Sequence, residues 1–160
     1  MFVPLLAAAA AAAPPTPAQI QKAVQAAEHS KDLWATINVC DSRLYPNRIG
    51  IRAEMPSLAF AAPMYMTFEV AYRPKPNAAF KLLASTRKRI SIGSAPNQLF
   101  QNGRTYGFVP PAVLDGAVTF AWWYQGKRVG NTTRTTTRGH KPDFADPKGY
   151  SAKICTIRAG

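Results

Sequence analysis

The chain has 160 residues, 14 of them proline, with 20 Lys and Arg against 8 Asp and Glu, a formal net charge of +12. That length supports one core of ordinary size, and the charge favours anionic partners. Two cysteines and two histidines leave too few ligands for an ordinary zinc site, and without a CxxC pair there is no dithiol redox centre, so neither metal nor cofactor is expected.

Residues 1–13 read MFVPLLAAAAAAA, followed by Pro14, Pro15 and Pro17 and a small-residue site at Thr16-Pro17-Ala18, the layout of a secretory apolar region and its cleavage zone. The apolar run is about 12 residues, well short of the roughly 20 that span a bilayer as a helix, so no transmembrane anchor is expected. No Lys or Arg precedes it, which leaves a disordered alanine-proline leader as the alternative. Residues 1–18 are therefore read as signal peptide or disordered leader, and the protein as secreted or held in the cell envelope.

Residues 19–33 are read as a linker or short helix. Thr16, Pro17 and Gln19 have the form of a capping box with proline at the first helical position, and Ile20, Val24 and Ala27 fall on one face. From Trp34 the period changes to two. Met64, Met66, Phe68, Val70 and Tyr72 alternate with Tyr65, Thr67, Glu69 and Ala71, and Val118, Phe120, Trp122 and Tyr124 alternate with more polar or small residues. Shorter strand candidates lie at 34–40, 49–54, 80–84, 106–109, 130–137 and 153–157, separated by turn-forming clusters that include Asn102-Gly103 and Asp115-Gly116. Gly126-Lys127 is read as the loop of a type II′ hairpin. Seven or eight short strands predict an all-β fold, a single antiparallel immunoglobulin-like sandwich over residues 34–160.

In an exported protein an even number of cysteines is normally paired, so Cys40 and Cys155 are expected to form a disulfide. Such a bridge closes a loop of roughly 115 residues, for which chain entropy gives about 4 to 5 kcal/mol. The cysteines lie near the two ends of the domain, and no tyrosine stands two residues before Cys155, so the core arrangement of antibody domains is absent. The stretch from Ala145 to Ile157, paired with Trp34-Ala35-Thr36-Ile37-Asn38-Val39-Cys40-Asp41, resembles a group of secreted actinobacterial proteins with an immunoglobulin- or fibronectin-III-like sandwich and a terminal cysteine pair. The resemblance covers about 34–157; it implies the sandwich and the bridge and carries no activity.

Charge carries the functional expectation. Arg128, Arg134 and Arg138, with Thr132 and Thr136, share one parity and predict a basic stripe on one side of a strand; it either binds anions or guards a sheet edge against unwanted pairing. Arg87, Lys88 and Arg89 form a second anion-binding candidate, otherwise read as a solvated loop, with Tyr65, Tyr72 or Trp123 as stacking faces if they lie nearby. No motif specific to nucleic acid accompanies them. Trp122 shares the phase of Val118 and Phe120 and is expected inside; Trp123 is then the outward aromatic candidate. His140, with Asp143 and Asp146 nearby, is a fragment of an acid-base or metal site that lacks a second histidine or a recognisable catalytic motif.

Together these features predict a non-enzymatic binding or structural domain contacting anionic cell-envelope polymers. The alternative is a module binding another exported protein at the cell surface. A small secreted hydrolase using His140 ranks third, and the oligomeric state is open.

Overall fold

The computed structural model describes residues 12–159, so the leader read over residues 1–18 lies outside the described residues as far as residue 11, and its last two residues, Pro17 and Ala18, open a helix. Helix α1 (Pro17–Glu28) begins at a complete capping box: Gln19 N donates to Thr16 Oγ1 at 3.3 Å, and Thr16 N donates to Gln19 Oε1 at 2.8 Å. Of the two alternatives for 19–33 the helix forms, and it packs on the domain through Val24 and Ala27, both part of the core.

The strands are β1 (Trp34–Cys40), β2 (Arg48–Pro56), β3 (Met64–Tyr72), the two-residue β4 (Lys81–Leu82), β5 (Lys88–Gly93), β6 (Leu99–Gly107), β7 (Ala112–Tyr124), β8 (Lys127–Thr135) and β9 (Cys155–Ile157). One sheet has the order β1-β2-β6 and the other β5-β3-β7-β8, with β4 beside β5 on the edge of β3 and β9 beside β8 on the edge of β7. All ladders are antiparallel, and the chain crosses between sheets after β2, β5 and β6, which is the connectivity of an immunoglobulin-like sandwich. The period-two runs place the core as expected. Met64, Met66, Phe68, Val118, Phe120 and Trp122 have no exposure and meet Ile37, Ile49, Ile51 and Met55 of the facing sheet. Trp122 reaches across the core, its Nε1 donating to Pro56 O at 2.9 Å.

Four local expectations are corrected. Asn102-Gly103 is no turn but lies inside β6, where a Cβ on Gly103 would stand 2.7 Å from Ile51 O and 2.9 Å from Arg52 Cδ; the glycine admits a close neighbour. Asp115-Gly116 likewise lies inside β7, with Ile51 Cδ1 2.7 Å from the position of a Gly116 Cβ. The β7–β8 loop residues are Gln125 and Gly126, both at positive φ (48° and 74°), which is a type I′ turn instead of type II′. Finally, 87–89 is not all loop: Arg87 lies in the connection, but Lys88 and Arg89 open β5, a strand along the edge of β3.

Strand β1 is buried on both faces. Its inner residues Ala35 and Ile37 belong to the core, and the chain beyond β8 covers the outside. There Thr36 Oγ1 bonds Ser151 Oγ at 2.7 Å, Asn38 Nδ2 donates to Phe144 O at 2.9 Å, and Ile37 and Ala152 exchange backbone hydrogen bonds. This wrap carries the chain to β9 on the other sheet, where Cys155 is bonded to Cys40 with 5.4 Å between Cα atoms. The disulfide thus ties one sheet to the other at the ends of the domain. No helix among the described residues is long and apolar enough to cross a membrane.

Candidate functional site

Alternation along β5 divides the Arg87-Lys88-Arg89 run between two surfaces. Arg89 pairs with Thr67 and Lys88 with Phe68; since Phe68 points into the core, Arg89 belongs to the outer face of the larger sheet and Lys88 to the side between the sheets. On the outer face the Arg89 guanidinium carbon lies 3.8 Å from the Tyr65 ring centre and 5.4 Å from that of Trp123, and the two rings meet edge to face at 6.2 Å. Contacts of this kind hold a guanidinium flat while leaving its N–H edge free. Trp123 is outward as expected but half-buried, and its Nε1 has no hydrogen-bond partner. Exposed Arg128 stands directly opposite it on β8.

Arg87 and Lys88 line a cleft of about 710 Å³ that opens between the edges of the two sheets. Here β5 is paired only with β3 and β6 only with β2. From β6 come Arg104 and Tyr106, placed on the inner parity by their pairing with Ile51 and Ile49. The Tyr106 hydroxyl is occluded and has no partner among the described residues. Burial pushes its pKa up to about 12, with Arg104 pulling it down and Glu69 pushing it further up, so the phenol keeps its proton at neutral pH and is available as a donor.

With Asn102-Gly103 read as a separator, the expected strand begins only at Tyr106, so Arg104 falls outside it and neither residue is set opposite Arg87 and Lys88. No period-two apolar pattern marks them, since Asn102 and Arg104 are as polar as Gln101 and Thr105; the pairing of β6 with β2 places them.

The predicted stripe of Arg128, Arg134 and Arg138 is not one surface. Trp122 pairs with Gly130 but Trp123 with Arg128, so Val129 is an extra residue, a β-bulge that breaks the parity between Arg128 and Arg134. Arg128 is left on the outer face, whereas Arg134, opposite core residue Val118, lies on the inner side and donates from Nη2 to Glu28 O at 2.6 Å, holding the end of α1. A cation there also suits the negative end of the helix dipole. Arg138 is exposed in the chain beyond β8, and Thr136, expected beside it on the surface, is fully buried and bonded to Asp115 and to Lys153 O.

His140 is part of the wrap over β1. Its ring stacks on Trp34 at 4.8 Å and 8° between planes, and its Nε2 is 2.7 Å from Thr137 Oγ1. Desolvation lowers its pKa from 6.5, opposed by the Glu54 charge. Asp143 and Asp146 are engaged elsewhere, Asp143 in an ion pair with Arg52 and Asp146 with the Ser42 hydroxyl, so the three side chains do not converge. Among the described residues no group of three His, Cys, Asp or Glu is placed to hold a metal ion.

None of the cations around β5 is ion-paired among the described residues, although the Glu69 carboxylate is close enough to act on Tyr106. Arg52–Asp143 is the one ion pair among the described residues. Asp41, Glu54, Asp115 and Asp146 accept instead from neutral donors of the fold, such as Asn47 N, Trp34 Nε1, Gly116 N and the Ser42 hydroxyl. The chain matches no protein-family model and no curated protein.

Proposed function

We propose that this is an exported, non-enzymatic binding domain for anionic polymers of the cell envelope, related to the secreted actinobacterial proteins that its terminal segments resemble. The observation that carries this reading is the set of cations gathered at one edge of the sandwich, none of them in an ion pair among the described residues: Arg87, Lys88 and Arg104 around the cleft, and Arg89 on the adjoining outer face. The interstrand disulfide agrees with an oxidising compartment, and a net charge of +12 agrees with a polyanionic partner.

Because β5 presents alternate residues to two surfaces, a flexible polyanion that bends around this edge meets cations on both sides. Contacts of this type are screened by salt. The test is retention of the full chain on phosphate- and carboxylate-bearing wall polymers across a salt series, for the parent and for Arg87→Gln/Lys88→Gln/Arg89→Gln. Retention that weakens steeply with salt in the parent, and is largely lost in the variant at low salt, supports the reading. Binding to envelope material that is indifferent to salt and to the substitutions replaces it with the rival reading, a module that docks another exported protein through the outer-face aromatic pair Tyr65 and Trp123.

A further inference from the structure

We propose that the cleft between β5 and β6 is a subsite for a phosphate group, held by Arg87, Lys88 and Arg104 and completed by the Tyr106 hydroxyl as a neutral donor. This rests on the reading of the domain as a polyanion binder and specifies which anionic group it takes. Four features of the cleft support it. It is roomy, at about 710 Å³, and it lies on the open side of the sandwich, where a polymer can enter and leave along the strand edges. Its cations come from both sheets, Arg87 and Lys88 from one edge and Arg104 from the other, so a group bound between them is gripped from two sides. The Tyr106 hydroxyl is an unpaired polar group at the cleft wall, in a fold whose buried polar groups are otherwise mostly paired. That hydroxyl stays protonated at neutral pH and can only gain by meeting an acceptor.

The donor set distinguishes phosphate from carboxylate. Two guanidinium forks, an ammonium and a phenol offer more donors and more positive charge than the two oxygens and single charge of a carboxylate can use. A phosphate offers more acceptor sites, and its tetrahedral oxygens can face both walls at once. The hydroxyl is occluded, so docking requires side chains of the cleft wall to shift and uncover it. Glu69 is the carboxylate felt at Tyr106, and it opposes an anion there.

Phosphate of a polymer and free phosphate share this chemistry, so the experiment uses both. The full chain is titrated by calorimetry with inorganic phosphate, with a polyglycerol phosphate and with polygalacturonate as the carboxylate control. The parent is expected to bind the phosphate probes in preference to the control. Tyr106→Phe should weaken phosphate binding on the order of tenfold, as expected for loss of a hydrogen bond to a charged group, with an unchanged melting curve. Arg104→Gln should weaken it too, and Glu69→Gln should tighten it. Polymer that competes with inorganic phosphate shows the cleft occupied by a polymer-borne group; inorganic phosphate bound without polymer assigns the site to the free ion. Tyr106→Phe and Arg104→Gln binding phosphate as the parent does, or polygalacturonate binding equally well, overturns the subsite while salt-labile polyanion retention still upholds the broader reading. A parent that binds none of the three polyanions at low salt overturns both.

Discussion

Gly130→Ala is expected to destabilise the protein when residue 24 is valine and to be neutral or stabilising when it is alanine. A Cβ built on Gly130 lies 2.2 Å from Val24 Cγ1, an impossible contact, but 3.4 Å from Val24 Cβ and 3.1 Å from Glu28 Oε1, the tip of a flexible side chain. Valine in a helix is nearly locked in one rotamer, so it cannot turn aside, and α1 must lift from β8. Overpacking of this kind costs about 1 to 3 kcal/mol. Val24→Ala alone removes two buried methyl groups, about 1.6 kcal/mol at about 0.8 each. In the double variant the methyl added at 130 occupies the space vacated at 24, and alanine in place of a strand glycine contributes roughly 0.5 to 1 kcal/mol.

The sum of the single costs is therefore about 3 kcal/mol, while the double variant should lose only about 1, a coupling of about 2 kcal/mol. Urea unfolding of the parent, the two single variants and the double variant measures all four corners. An equal cost for Gly130→Ala in both backgrounds would show that α1 does not rest on β8 through Val24, and would remove the helix from the core described above.

Reduction of Cys40–Cys155 opens a closed loop with a sequence separation of 115. Chain entropy puts the loss at about 5 kcal/mol, so denaturant midpoints with and without reductant should differ widely; a difference under about 1 kcal/mol refutes the clamp. Trp122→Ala empties a fully buried site and should cost about 3 to 5 kcal/mol, and Trp123→Ala clearly less; equal costs in thermal unfolding would contradict the register of β7. His140 has a folded pKa below 6.5, so the unfolded chain binds the proton more readily and stability falls as pH drops through 6.5 toward the folded value. His140→Phe, which keeps a ring over Trp34, should flatten that part of the pH–stability curve, and an unchanged slope would place the acid sensitivity elsewhere.

The elements legible in the sequence are those whose signals are local. Strand β3 shows four buried core residues at every second position, with Tyr72 packed against them, and both its ends were readable. The start of α1 is written in Thr16, Pro17 and Gln19, three residues that bond one another or set the first turn. What α1 rests on was not legible. Its seat is the notch at Gly130, more than a hundred residues away, and the requirement for glycine there comes from Val24 and from nothing in the sequence of β8. The bulge at Val129 was hidden in the same way. An uninterrupted alternation of Arg and Thr predicts one stripe, yet one extra residue opposite the Trp122–Trp123 step sends Arg128 to the outer face and leaves Arg134 with the helix.

The cleft escaped sequence reading for a related reason. Asn-Gly is a strong hairpin signal because both residues tolerate positive φ. At 102–103 that tolerance is not used. Gly103 has no positive φ, and its missing Cβ makes room for Ile51 O and the stem of Arg52 on the neighbouring strand. A turn there would have ended the strand before Arg104 and Tyr106, leaving Arg87 and Lys88 facing no partner from the other sheet. Since Asn102-Gly103 is instead continuous strand, β6 runs on along the open edge and brings Arg104 and Tyr106 opposite β5. The same glycine that obscured the strand is what lets it lie close to β2. The basic cleft, and the function proposed from it, therefore depends on a close backbone approach that local sequence chemistry disguises as a turn.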